Sequence, residues 1–437
     1  MVEQFFNLLD IADDVTWSYL SVPAVVIIGI YLSFKSGWVQ LFKFKRVSTL
    51  FLSFLEKKEP EEFRGIGRLR AFFASIGGCI GIGNVVGVCT AVQIGGPGAV
   101  FWMWLTALIG MIVKYSEIYL GMIYRVQNKE NSYDGGPMYY LKEVDKTGLL
   151  STLFCILLCV YGIEIYMFRI VTHSVTVGWG INYSFAVFVL LAAILIAEKG
   201  GLDTVGKISL YIVPLFITGY FLISFWAFAH DFTAFTNAVH LIFNSAFTGQ
   251  AAWGAFAGSG ILLTISQGVK RACYSGDIGV GYASIIHAES QEQNAEKQAS
   301  LGIFGVFLDT FVVSSLSVLL IISTDLWNQP IHEAEIVAVA LGNHVPYMNI
   351  IWPFFIMLLG YSSLIAFFAA GKKSAQYLSP KYGERLYIIY GIFSFLLFSF
   401  IGNESHILTI MSVVGAALLI INMYGMFKLR DKISFKL

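Results

Sequence analysis

The stretch "SIGGCIGIGNVVG", residues 75–87, decides how this chain is read, because it sets five glycines in an otherwise apolar run. A glycine inside a helix costs about 0.5–1 kcal/mol relative to alanine, so a helix passing through here is expected to break. Within a bilayer, non-helical backbone is tolerated only where protein or a water-filled cavity covers it. A break at mid-depth frees backbone groups: half-helix N-termini favour a carboxylate and loose carbonyls favour a cation. Gly77, Gly78, Gly81 and Gly83 supply the break, and Asn84 adds a side-chain oxygen. Small residues at four-residue spacing also let helices pack closely, which accounts for many glycines but less well for the density of "GGCIGIG". "GIGNVVG" also brushes against a dinucleotide-binding fingerprint, but no strand precedes it.

The rest of the chain places this stretch in a membrane. Of 437 residues, 57% are hydrophobic and 13% charged, and the mean hydropathy is +0.72. Soluble domains carry about 25% charged residues. Uncharged runs cover residues 15–34, 71–113, 208–230, 336–371 and 405–427, and about 20 apolar residues cross a bilayer. The chain is therefore an all-α polytopic membrane protein. We place about eleven spans near 15–34, 66–93, 97–125, 149–177, 182–198, 206–229, 251–272, 298–323, 346–371, 384–402 and 406–427. With the N-terminus outside, the outer loops hold no Lys or Arg, and of 28 basic residues only Lys114 and Arg169 fall well inside a span. The positive-inside rule then sets the C-terminus in the cytoplasm, with a bacterial inner (plasma) membrane expected. The acidic N-terminus lacks the basic start of a signal peptide. Segment 37–57 interleaves aromatics with lysines and is expected along the inner surface. The five cysteines form no C-x-x-C pair and read as small core residues.

A second glycine-rich span, "AAWGAFAGSGILLTISQG", places Gly254, Gly258 and Gly260 at similar depth half a protein away. Setting the first span aside leaves two sets of five with opposite topology, each opened by a broken helix. This is a five-plus-five inverted repeat. The divisions are 1–65 (extra N-terminal helix and interfacial segment), 66–229 (first repeat) and 230–437 (outer loop, second repeat and cytoplasmic tail).

The blocks 81–125, "DGGPMYY" (134–140), "GYASIIHA" (281–288) and "GVFLDT" (305–310) resemble the alanine or glycine:cation symporter family. The resemblance runs from about residue 66 to the end of the last span. It implies a leucine-transporter-like fold and import of a small neutral amino acid, alanine or glycine first, coupled to sodium. It also implies no organic cofactor, no enzymatic activity, no nucleic-acid partner and a monomer in the lipid bilayer. "GCIGIGN" is similar to the unwound first core helix of neurotransmitter:sodium symporters, and "LLGYSSLIA" (358–366) to their eighth. On that likeness the carbonyls of Gly77, Ile80 and Leu359 and the hydroxyls of Ser362 and Ser363 bind Na⁺. Ordinary interhelical hydrogen bonding is the other reading of the two serines. The substrate carboxylate goes to the amides around Gly81, Ile82 and Gly83, with Asn84 beside them, and its ammonium to carbonyls at 255–259, including Phe256, Ala257 and Gly258.

The family pattern carries Thr at Ile82, Trp at Phe367, Gln at Arg169 and Asn–Glu at Gly276–Asp277, so these positions bear on substrate choice and coupling. A buried Arg needs water or a partner. Arg169 lies either near the substrate or paired with Glu164 or Asp309. Lys114 and Glu117 are expected to neutralise each other at the inner end of their span. Asp277, His287 and Asp309 are candidates for gating or coupling, Asp309 either carrying protons or capping a polar network. A lone His is more often structural. The rival functions are a proton-coupled or sodium-independent carrier or exchanger, a channel, and a membrane enzyme. The last would need paired catalytic groups, and no H-E-x-x-H or P-loop is present.

Overall fold

The computed structural model describes residues 2–56, 64–128, 132–248 and 260–436. The chain opens with α1 (Val2–Thr16) and α2 (Val22–Ser36), joined by a π-turn at Trp17–Ser21. Together they form one apolar rod, Glu3–Ser36, of 34 residues. Gly37 (φ 65°) ends it in a left-handed cap. Short α3 (Val39–Phe42) leads into α4 (Phe44–Glu56), which buries Val47, Phe51 and Phe54 and leaves Leu52 and Leu55 exposed. That two-faced pattern suits the interfacial placement expected for 37–57.

The glycine-rich stretch breaks as expected. Helix α5 (Arg68–Cys79) ends, one 3-10 turn covers Ile82–Asn84, and α6 (Gly87–Gly95) continues, the two halves bent by 57°. Helix α7 (Ala99–Ile123) follows, then a hairpin pairing Val126–Gln127 with Tyr133–Asp134, and α8 (Pro137–Val144). Helices α9 (Leu149–Tyr161) and α10 (Ile165–Trp179) make one span jointed at Glu164. Helix α11 (Tyr183–Glu198) has 16 residues, about 24 Å at 1.5 Å per residue, and so falls short of a ~30 Å hydrocarbon layer. Helices α12 (Gly201–His230) and α13 (Phe232–Thr248) complete this half.

The second half begins with α14 (Gly260–Ser275) and α15 (Tyr282–Ala288). Helices α16 (Ala295–Val306) and α17 (Ser315–Ser323) are one span with a π-helical middle at Phe307–Ser314. Helix α18 (Glu333–Gly342) precedes α19 (Met348–Leu378), α20 (Gly383–Ile401) and α21 (Glu404–Lys428). Eight helices are long and apolar enough to span a bilayer, and the broken α5–α6 pair makes nine, among the described residues. The spans at 182–198 and 251–272 make up the expected eleven: the first is the short α11, and only the part of the second from Gly260 onward is described.

The glycine pattern puts the second break at Gly254–Gly260; Gly254 and Gly258 lie outside the described residues, and from Gly260 to Ser275 helix α14 runs unbroken. The chain leaves the helix at 276–281, with left-handed backbone at Asp277, Gly279 and Gly281. "GDIGVG" supplies glycines at two of those positions, and its acid makes it look like a loop outside the membrane. Helix α14 thus reaches further than expected, and Lys270 pairs with Asp13 (3.2 Å), at the end of the bundle where α1 lies. Helices α12 and α19 pack on α5, while α6 and α7 pack on α14, so both breaks meet in the centre.

Candidate functional site

At the first break, every residue from Ala71 to Cys79 is buried, so the carbonyls freed at the end of α5 have no water to turn to. Ser362 and Ser363, on α19, fill that need. The Ser363 hydroxyl donates to the Gly77 carbonyl at 2.7 Å; that of Ser362 lies 3.2 Å from the same carbonyl and 2.9 Å from that of Leu359. Four of the five expected Na⁺ ligands therefore meet in one buried cluster. The fifth, Ile80, is the residue on which α5 ends. Neutral oxygens gathered at a helix C-terminus, where the macrodipole is negative, suit a small hard cation.

Asn84 is not where its expected role needs it. Its Oδ1 accepts the Gly81 N–H (3.1 Å), and its Nδ2 donates to Asp309 and to the Ser314 hydroxyl (3.0 Å). Asn84 braces the break against the π-helical segment, and Asp309 is the acceptor of that brace, which also takes the Thr310 hydroxyl at 2.9 Å. His287 is buried and hydrogen-bonded to Gln298 at 2.8 Å, a satisfied structural residue.

The second break is held by two charges on α7. Lys114 Nζ donates to the carbonyls of Gly276 (3.2 Å) and Asp277 (2.9 Å), and lies 3.5 Å from Cys79 Sγ at the end of α5. Glu117 accepts the Gly281 N–H (3.1 Å) and the Asn422 amide (3.2 Å). The expected Lys114–Glu117 pair exists at 3.4 Å. It sits at the meeting point of the breaks, however, with each charge matched to the half-helix end it faces.

Between the breaks lies a cavity of about 140 Å³, large enough for several waters or a small amino acid. Gly81, Ile82, Gly83, Phe367 and Asp277 line it. The Phe367 ring stacks on Tyr282 (4.2 Å) and meets Tyr161 edge-on (5.5 Å). The Tyr161 hydroxyl donates to Asp277 at 3.1 Å. Phe256, Ala257 and Gly258 lie outside the described residues. Arg169 is not among the residues that line the cavity. Its guanidinium donates to the carbonyls of Phe398 (3.1 Å) and Gly402, where α20 ends. It caps a helix, so the expectation of a place near the substrate, or of a pair with Glu164 or Asp309, does not hold.

Among the lining residues that the sequence does not assign to the site are two charged ones, Arg271 and Glu164. Arg271 donates to the Gly83 carbonyl at 2.5 Å, although its place near the end of the expected span 251–272 suggests a basic flank. Glu164 was considered only as a partner for Arg169. The acid-bearing glycine cluster at 276–281 is a signal for Arg271, because it re-registers the helix before it; Glu164, on another span, has no such local signal.

The end of the bundle opposite Asp13 is sealed by charge. Lys373 on α19 joins Asp134 (2.9 Å) and Glu289, Arg68 pairs with Glu292 (3.3 Å), and Arg125 donates to the carbonyls of Ala288, Ser290 and Glu292.

The chain is similar over nearly its whole length to the sodium/alanine symporter AgcS of Methanococcus maripaludis, at 29% identity, with 97% of this chain and 95% of that protein covered. It is 31% identical to the amino-acid carrier protein AlsT of Bacillus subtilis, covering 74% of this chain and 68% of that one. It is 26% identical to the probable sodium/glutamine symporter GlnT of the same organism, covering 98% and 89%. A crystal structure of a mutant of the Eremococcus coleocola manganese transporter shares the fold, with a TM-score of 0.52 at 11% identity over 83% of this chain and 78% of that one. The family model for the sodium:alanine symporters matches residues 2–437. This chain belongs to the sodium:alanine symporter family.

Proposed function

We propose that the protein imports a small neutral amino acid, alanine or glycine, together with Na⁺ by alternating access. The observation that carries this reading is the position of Gly81. A side chain there would stand 2.9 Å from the Ser363 hydroxyl, and Gly81 also lines the 140 Å³ cavity. The oxygen cluster and the cavity therefore share one stretch of unwound backbone, so a cation that fixes the break also shapes the cavity.

In this account Gly77, Ile80, Leu359, Ser362 and Ser363 hold Na⁺, and the freed amides of Ile82 and Gly83 take the substrate carboxylate. The small cavity and the aromatic wall of Phe367 leave room for little side chain. One Na⁺ moving with the substrate across about 100 mV contributes roughly 2.3 kcal/mol from the electrical term. The ion pairs of Lys373 and Arg68 close the inner face, and alternating access would open them. The two breaks open the two inverted repeats, 66–229 and 230–437. The charge asymmetry of the loops supports an outer N-terminus and a cytoplasmic C-terminus, in the plasma membrane, and we read the protein as a monomer.

The test is uptake of labelled alanine and glycine into proteoliposomes under an inward Na⁺ gradient, a choline control, or a proton gradient alone. Accumulation that needs Na⁺ is expected. Uptake driven equally by protons in choline would replace this reading with proton coupling.

A further inference from the structure

The cavity has an unused acid. Glu164 lines it, its side chain is 6% exposed, and among the described residues its carboxylate has no ion-pair or hydrogen-bond partner. An ionised carboxylate in such a place is expensive unless a cation reaches it. Its backbone is also unusual. Glu164 has φ 49° and Asp277 φ 46°. Of the five non-glycine residues with positive φ among those described, these two acids line the same cavity. Left-handed backbone at such residues is uncommon and persists where the surroundings enforce it.

Two carbonyls freed at the second break are already engaged. Lys114 occupies those of Gly276 and Asp277, and the Asp277 carboxylate already accepts the Tyr161 hydroxyl. Glu164 stands at the start of α10, and Met167, one turn on, comes within 3.2 Å of where a Cβ on Gly81 would lie. The acid thus lines the same cavity as the amides of Ile82 and Gly83, which suit a carboxylate.

We infer that Glu164 is the ammonium-binding residue of the cavity, forming a charged hydrogen bond with the α-amino group of the bound amino acid. The inference rests on the amino-acid reading above. The ligand class is then a zwitterion. A 2-hydroxy acid of the same size would leave Glu164 buried and unpaired, and be rejected for that reason.

The test is binding of alanine and of lactate to the purified full chain in Na⁺, in wild type, Glu164→Gln and Glu164→Asn. Asn is chosen because it tolerates left-handed backbone. The preference for alanine over lactate is expected to fall at least tenfold, about 1.4 kcal/mol, in both variants. An unchanged preference in a variant that still binds alanine overturns the assignment of Glu164 alone. A wild type that binds neither alanine nor glycine overturns the function and this assignment together. In wild type, carbodiimide labelling mapped by mass spectrometry gives a readout that needs no variant to fold. Alanine is expected to protect Glu164 and lactate not to, and equal labelling with and without saturating alanine counts against the proposal.

Discussion

Lys114 and Glu117, one turn apart on α7, hold the two sides of the second break: Lys114 binds the carbonyls of Gly276 and Asp277, and Glu117 binds the amide of Gly281. The pair does what a continuous helix would have done for those groups. Removing one partner from a buried pair costs about 3–5 kcal/mol, because it strands the other charge. Lys114→Met or Glu117→Gln alone is expected to lower the detergent melting temperature more than the double Lys114→Met/Glu117→Leu. All three lose transport, since the backbone at 276–281 loses its partners. A double variant less stable than both singles contradicts this.

Ser363 is expected to act on the ion rather than on the amino acid. Ser363→Ala removes an oxygen 2.7 Å from the Gly77 carbonyl and should raise the Na⁺ half-saturation by about tenfold, the weight of one strong ligand interaction. The alanine KM at saturating Na⁺ should change little. Titrating uptake against Na⁺ at fixed alanine, then against alanine at fixed Na⁺, separates the two effects.

Gly78 has no room for a side chain, because a Cβ there would run into the Tyr282 ring, whose hydroxyl is fixed to the Ala74 carbonyl at 3.0 Å. Gly78→Ala should destabilise by about 1–3 kcal/mol through overpacking and abolish transport. A melting temperature equal to wild type would show that the contact between α5 and α15 is looser than described.

Arg169→Gln tests the helix-capping role of a residue that the sequence places near the substrate or in a buried ion pair. Loss of the cap on α20 should cost about 1–3 kcal/mol, read as a lower melting temperature. The ranking of substrates in uptake should stay as in wild type. A changed ranking would return Arg169 to the cavity.

In the proposed alternating-access cycle, Lys373 ties α19 to Asp134 and Glu289 while that end of the bundle is closed and releases them when it opens. Lys373→Ala weakens the closed arrangement without touching the open one, so the population shifts toward opening by about tenfold for each 1.4 kcal/mol lost. Thiol labelling of Cys79, buried in the closed protein, from the cytoplasmic side should rise in this variant.

The bundle and its first break were legible because composition and glycine density are local signals that bilayer physics forces on a sequence. The cluster of Gly77, Ser362 and Ser363 was legible through resemblance, since two serines on one helix say nothing of what faces them. The non-helical stretch at 276–281 is not legible in the sequence because "GDIGVG" carries an acid, and charge argues for water. Only the tertiary partners, Lys114 from α7 and Tyr161 from α9, make Asp277 tolerable inside. Arg169 looked functional for the converse reason: its partners are backbone carbonyls of a distant helix, which no side-chain pattern announces.

In the proposed function, ion and substrate meet at one unwound segment. Linkage then requires Na⁺ to raise alanine affinity by the same factor that alanine raises Na⁺ affinity. The most direct measurement is calorimetric titration of alanine into the purified protein in Na⁺ and in choline, for wild type and Ser363→Ala. Tight binding is expected in Na⁺ and at least tenfold weaker binding in choline, with the Na⁺ needed for tight binding raised about tenfold in Ser363→Ala. Equal alanine affinity in Na⁺ and choline would contradict this.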